Sequence, residues 1–430
     1  MKKILFILYT CCILSFPVSA QQIPSFKAND RIVFLGNSIT EGGHYHSYIW
    51  LYYMTHFPNL PLRMYNGGIG GDCVSHMVYR FDSDIKIKKP TYLICSFGMN
   101  DSGFDGYNKP GYDKYANQQV EYAHTEFEKL QRQILADKKI KSVVLLGSPP
   151  YDENVKLKGV EALHGKNETI KRIIEMQAEV AQKRGWGFVN FNTVMCGLNK
   201  QIQLSDSTAT FCGGDRIHPD KDGHMVMAYL FLKAQGLAGQ EIASFQINAT
   251  NRKAMEERNC RISHIKNEND TISFRYLSRS LPFPIDTIPR WGTKGTARDA
   301  IRQIPFMQEM NQEIMKVTDL HGIFRVTIDG IEIGCWSGDE LSKGVNLAEI
   351  TCTPQYQQSL SIMYLNEERC AIEKRLRQYM AMQYVFFKHR GLLFADNKAA
   401  LDAAKAERES HYLVKYLYTN YTQAMFRRYV

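Results

Sequence analysis

The 430-residue chain has no Cys-x-x-Cys pair beyond its first twenty residues, so neither a zinc knuckle nor a thioredoxin-type redox site is supported. No run of five or six basic residues occurs. The formal charge of +9, from 53 Lys plus Arg against 44 Asp plus Glu, is spread along the chain and argues against a nucleic-acid partner. Proline (14) and glycine (30) are too few for a low-complexity protein, and 44% hydrophobic residues exclude a disordered chain, a collagen repeat or a coiled-coil rod. The four tryptophans, Trp50, Trp186, Trp291 and Trp336, are too scattered to form a sugar-stacking platform. Past the N-terminal leader, no apolar stretch is long enough to cross a membrane. A chain of this size buries a large core without help from disulfides or metals.

The leader carries Lys2 and Lys3, a mostly apolar run from Ile4 to Phe16, and Val18-Ser19-Ala20 as a small-residue cleavage site. This pattern predicts a bacterial signal peptide over 1–20 and an exported protein, periplasmic or extracellular, starting at Gln21. A lipoprotein cysteine at Cys11 or Cys12 is the alternative, against which stands the very short apolar stretch before it. Eight cysteines remain after cleavage; Cys196 and Cys212 flank a loop and could pair, or be buried thiols.

From about 30 to 236, short apolar runs alternate with amphipathic stretches. Strands are expected over 31–35, 62–65, 92–97, 142–146 and 187–191, with helices over 46–57, 73–88, 115–137, 167–184 and 221–236. Such alternation predicts an α/β fold, a parallel sheet with helices on both faces. Beyond 240 the texture changes. Hairpins are expected over 261–276 and around Asp329-Gly330, a loop over 278–305, and helices from 355 onward. The organisation expected is a signal peptide (1–20), a catalytic domain (21–240) and a C-terminal α+β extension (241–430), which could serve oligomerisation or docking.

Four constellations carry chemistry. Gly36-Asn37-Ser38-Ile39-Thr40 follows the first strand, where open α/β sheets place ligands. Asn66-Gly67-Gly68-Ile69-Gly70-Gly71-Asp72 follows the second; its glycines let backbone N–H groups approach a ligand, whereas Cys73 breaks dinucleotide-binding spacing. Gly98-Met99-Asn100-Asp101 follows the third, and its Asn offers a neutral amide to a developing oxyanion. In Asp215-Arg216-Ile217-His218, an Asp three residues ahead of a His can fix the ring tautomer, freeing the other nitrogen to take a serine proton. Gly-x-Ser-x-Gly is absent, so the sharp elbow of the α/β-hydrolases is not expected.

In this order and at these strand ends, the four sets resemble the SGNH (GDSL-like) hydrolases over about 30–236: Ser38 in block I, Gly71 in block II, Asn100 in block III, Asp215 with His218 in block V. Asn37 departs from the common Asp, a position that is not the nucleophile. The resemblance implies a three-layer, flavodoxin-like parallel sheet and a serine esterase. Ser38 would attack an ester carbonyl, His218 would shuttle the proton and Asp215 would orient the ring. The Ser38 and Gly71 N–H groups and the Asn100 amide would hold the oxyanion. It implies no metal and no organic cofactor. The expected substrate is an O-acetylated saccharide; alternatives are a lipase- or thioesterase-like acyl hydrolase and a glycan-binding protein on the same scaffold.

Other polar groups border these motifs. Asp72 and Asp101 are expected to brace their loops, and Glu41 and Tyr107 to line the cleft or lie on the surface. His44 and His46 have no evident third ligand to make a metal site. Gly42, Gly43 and the loop from Gly103 to Gly111 are candidates for shaping the acyl pocket.

Overall fold

The computed structural model describes residues 22–269, 271–289 and 294–426. The expected signal peptide and Trp291 lie outside the described residues.

The first half runs β1 (Arg31–Gly36), α1 (Ser38–Gly42), α2 (His44–His56), β2 (Arg63–Gly68), α3 (Val74–Arg80), β3 (Tyr92–Phe97), α4 (Tyr112–Ala136), β4 (Ser142–Gly147), α5 (Lys166–Arg184), β5 (Gly187–Asn190), α6 (Phe191–Gln203) and α7 (Lys221–Ala234). The five strands pair in parallel in the order β2-β1-β3-β4-β5, the flavodoxin-like arrangement. Successive side chains of a strand point to opposite faces, and a parallel sheet is covered on both. Accordingly Ile32 and Phe34 of β1, Ile94 of β3 and Val144 and Leu146 of β4 pack with Tyr45, Tyr48, Tyr52, Val226 and Phe231 of α2 and α7. Their neighbours Val33, Leu35, Leu93, Cys95, Val143 and Leu145 pack with Met77, Phe127 and Leu130 of α3 and α4.

The expected strands match to within a residue or three at each end. Helix α6 is a difference: it starts on the residue after β5, so no polar turn separates the two. The 73–88 stretch is helical as expected, α-helical to Arg80 and then widening through a π turn over Phe81–Ile85 before tightening to a 3₁₀ turn over Lys86–Lys88.

The second half begins with β6 (Ala243–Asn248), β7 (Lys253–Arg258), β8 (Cys260–Glu268), β9 (Thr271–Ser278), α8 (Ala297–Ile301), α9 (Phe306–Met310), β10 (Glu313–Thr318), β11 (Ile323–Ile328), β12 (Ile331–Ser337), α10 (Gly338–Lys343) and β13 (Val345–Asn346). Both expected hairpins form, as β8–β9 and β11–β12. Asp329 and Gly330 take φ of 49° and 79°, the doubly left-handed turn that an Asp-Gly pair favours. A four-stranded sheet, β13-β10-β6-β7, was not expected. The expected loop over 278–305 carries α8, and Phe283, Ile285, Ala297 and Ala300 fill the α2–α7 layer. Last come α11 (Pro354–Ala381), α12 (Lys398–Ala406) and α13 (Tyr412–Phe426), whose apolar faces form a further cluster with Ile69 of the glycine-rich loop. Among the described residues no helix is long and apolar enough to cross a membrane.

Candidate active site

Ser38 opens α1 directly beyond β1. Asn37 caps that helix, its side-chain oxygen accepting the Ile39 N–H at 3.0 Å. The position where the family commonly has Asp is therefore filled by another good cap. Across the sheet end, the Asp215–His218 turn presents the His218 ring. Its Nε2 lies 2.8 Å from Ser38 Oγ, and its Nδ1 lies 2.5 Å from Asp215 Oδ2. Asp215 Oδ1 also accepts the backbone N–H groups of Ile217 and His218. Burial pushes the Asp215 carboxyl up, but these bonds and the ring beside it reverse that, leaving it below its ordinary value.

Gly71 and Asn100 stand at the next two strand ends. Gly71 is exposed, with φ of 79° and nothing within 4 Å of where a Cβ would sit. Asn100 is half-buried and donates from Nδ2 to the Asp72 carbonyl at 3.0 Å. Ser38 and His218 are likewise half-buried. All five predicted positions thus lie at strand ends or on loops at that end of the sheet.

Several flanking residues hold these loops. Asp101 accepts the Val74 N–H at 2.7 Å and the Gly98 N–H at 2.8 Å, bridging the second and third loops as expected of a brace. Asp72 pairs with Arg80, whose guanidinium is fully buried and also donates to the Gly36 and Gly67 carbonyls at the ends of β1 and β2. Glu41 and Tyr107 correct the expectation of cleft or surface positions. Both are buried, Tyr107 donating to the Ser102 carbonyl at 2.6 Å and Glu41 holding the Gly70 N–H at 3.0 Å. His46 is buried with Nε2 against the Thr40 carbonyl, while His44 lies 3.9 Å from Glu367. Cys196 and Cys212 are free thiols; Cys196 contacts Asn167 and Asn192, and Cys212 contacts Asn199.

Two residues with a place here gave no signal in the sequence. Arg216, between the Asp and the His, adopts a left-handed φ of 70°. Its guanidinium donates to the carbonyls of Asp152, Val155 and Val160 and so fixes the turn from behind. Lys166 is buried at the start of α5 and donates to the Met99 and Gly103 carbonyls and to Ser102 Oγ, all in the Asn100 loop. Burial pushes its ammonium down to about 7, against the pull of Asp101. A lysine at a helix start reads from sequence as a solvated residue.

The sheet and the Ser38–His218–Asp215 chain define an SGNH-type hydrolase. The GDSL-like Lipase/Acylhydrolase family matches residues 34–226, and the Diltiazem deacetylase C-terminal helical domain matches residues 360–429. A gut microbial diltiazem-metabolizing enzyme is 47% identical over 95% of this chain and 92% of its own, with a TM-score of 0.89. The chain belongs to the SGNH (GDSL-like) hydrolases and is an ester-bond hydrolase. An acetylxylan esterase from Geobacillus stearothermophilus is 23% identical over 224 residues, 49% of this chain and 95% of that protein. A crystal structure of that esterase superposes with a TM-score of 0.39 at 20% identity over 49% of this chain and 95% of its own.

Proposed function

We propose that the protein is a serine esterase that removes O-acetyl groups from an alcohol, with an acetylated saccharide as substrate. The observation that carries the catalytic assignment is the continuous hydrogen-bonded chain from Ser38 Oγ through His218 to Asp215. In this reading Ser38 Oγ attacks the ester carbonyl while His218 Nε2 takes its proton. The oxyanion is held by the Ser38 and Gly71 N–H groups and by the Asn100 Nδ2–H not engaged by Asp72. His218 then gives the proton to the leaving alcohol. A water, activated by the same ring, releases acetate from the acyl-serine. Asp215 holds the ring orientation and stabilises the imidazolium.

The acetylxylan esterase relative and the export pattern of the leader support a saccharide acetate met outside the cytoplasm. A second reading has its own support: the relative that matches nearly the whole chain acts on diltiazem, and the helical segment matches a domain named for diltiazem deacetylation. Acetate release from acetylated xylo-oligosaccharides and from diltiazem, measured side by side with p-nitrophenyl esters of increasing length, separates the readings. Preference for xylo-oligosaccharide supports the first, and preference for diltiazem the second. A preference for long acyl chains removes the deacetylase reading. Ser38→Ala is expected to lower kcat by about 10³-fold or more. Retained turnover in that variant would overturn the serine mechanism.

A further inference from the structure

The loop that carries Gly71 is held from the far end of the chain. Ile69, 2% exposed, is the one loop side chain that enters the apolar cluster of the C-terminal helices, among Phe386, Leu413, Val414, Leu417 and Tyr421. The next residue, Gly70, lies under the Tyr416 ring of α13: a Cβ at Gly70 would stand 2.4 Å from the Tyr416 hydroxyl oxygen. A side chain at position 70 would have to displace the Tyr416 ring from this contact.

The same tyrosine is wired to the serine helix. Glu41, three residues after Ser38 on α1, is 3% exposed. Its Oε2 accepts the Gly70 N–H at 3.0 Å and the Tyr416 hydroxyl at 2.5 Å, and its Oε1 accepts Gln378 Nε2 of α11 at 3.0 Å. Glu373 of α11 accepts the Asn66 N–H at 2.8 Å, at the start of the loop. Beyond it, Arg377 of α11 reaches Asp84 at 2.5 Å; Asp84 pairs with Arg80, and Arg80 with Asp72, whose carbonyl holds Asn100.

We propose that the C-terminal helices are a positioning element for the oxyanion site, and that Tyr416, acting through Glu41, is a positioning residue that sets Gly70-Gly71 against Ser38. This rests on the serine-esterase reading above. A carboxylate that accepts from both the loop and α13 while riding on the serine helix locks two of the three oxyanion donors to one another. Donors of this kind work by being fixed before charge develops, and small misplacements are amplified in the rate. Losing the Tyr416 hydroxyl leaves Glu41 with fewer donors and the loop free to relax.

The test compares full-length Tyr416→Phe with wild type on p-nitrophenyl acetate and with a trifluoromethyl ketone, which forms an oxyanion on the serine. The expected result is a kcat about 10-fold lower with KM changed by less than about twofold. The ketone should bind weaker by a similar factor, with acetate inhibition unchanged. Gln378→Ala, which removes the other helix donor to Glu41, should act in the same direction and more weakly. Arg390→Ala is the control, because its ion pair with Glu407 lies inside the helical segment. Wild-type kcat and ketone affinity in Tyr416→Phe would overturn the proposal. So would an equal loss in Arg390→Ala, which would mean that only the stability of the helices matters. Ser38→Ala tests the underlying reading by itself: if it stays active, that reading fails whatever Tyr416 does.

Discussion

The two parts of the second half meet the sheet in different ways. The β-rich part, 243–350, folds about its own cluster of Phe245, Ile247, Met315, Val317 and Leu347. It packs on the first half through Phe283, Ile285, Ala297, Ala300 and Phe306 in the α2–α7 layer, through Asp286, which accepts from Lys221 Nζ at 2.6 Å, and at the end of α2, where His56 Nε2 faces the Met310 carbonyl at 2.9 Å and Ser280 Oγ donates to the His56 carbonyl at 2.7 Å. The helical part, 354–426, has its own cluster too, but that cluster includes Ile69. Buried charges join it to the loops at the strand ends. Nearness in sequence to the catalytic block does not decide which segment meets the glycine-rich loop; the helical part does so through Ile69, Gly70 and Asn66, whereas the β-rich part packs on α2 and α7.

The sharpest break of this contrast is at the charged junction. Burial pushes the Asp84 carboxyl up, yet Arg377, Lys88 and Arg80 together drive it well below the ordinary carboxylate range. Arg80→Leu would leave Asp72 without its partner and free two carbonyls at strand ends. Removing one member of a buried pair costs about 3–5 kcal/mol, and Arg80→Leu should fall there in urea denaturation. Arg377→Leu should cost less, about 2 kcal/mol, because Asp84 keeps two cations and because Nε and Nη1 of Arg377 have no hydrogen-bond partner. Both should lower kcat on p-nitrophenyl acetate. Arg377→Leu with unchanged turnover would mean that the helices are attached to the site without shaping it.

The β-rich junction is instead sensitive to acid. Burial pushes the His56 ring from 6.5 down to about 4, only partly offset by its bonds to the Met310 and Tyr52 carbonyls. The folded protein therefore holds His56 neutral where the unfolded chain binds a proton. Unfolding takes up that proton between about pH 6.5 and 4, so stability is full above this window and falls as pH drops through it, by on the order of 3 kcal/mol. His46, also held at about 4 by burial, adds the same dependence. The difference between wild type and His56→Gln isolates the junction. The variant should show a shallower loss of stability between pH 6.5 and 4 in denaturant titrations. Parallel curves would show that His56 does not carry the junction's proton linkage.

What was legible in the sequence follows from range. Strands β1, β3 and β4 are buried on both faces and read as unbroken apolar runs, and the motif residues follow at their ends. The Asp-Gly hairpin was legible because its turn is encoded in two adjacent residues. The sheet joining β6 to β10 was not, since its parallel pairing brings together residues such as Ala243 and Glu313 with no local signal. Glu41 and Tyr107 were misplaced for a related reason. The buried Glu41 carboxylate accepts from Tyr416 and Gln378 as well as from Gly70, and nothing near Glu41 in the chain announces the first two.

The smallest effect sharpens the contrast from the other side. Gly330, at the tip of the β11–β12 hairpin, has φ of 79° and open space where a Cβ would go. Gly330→Ala therefore meets no clash and bears only the conformational penalty of a left-handed residue, about 1 kcal/mol. That penalty falls on a two-stranded ribbon which pairs with no other strand of the described residues. Denaturation should register it at that size or below, and kcat and KM should stay at wild-type values. A fall in kcat from so local a change would show that the hairpin is coupled to the strand ends after all, and the division between a hairpin that pairs with no other strand and helices that meet the glycine-rich loop would have to be given up.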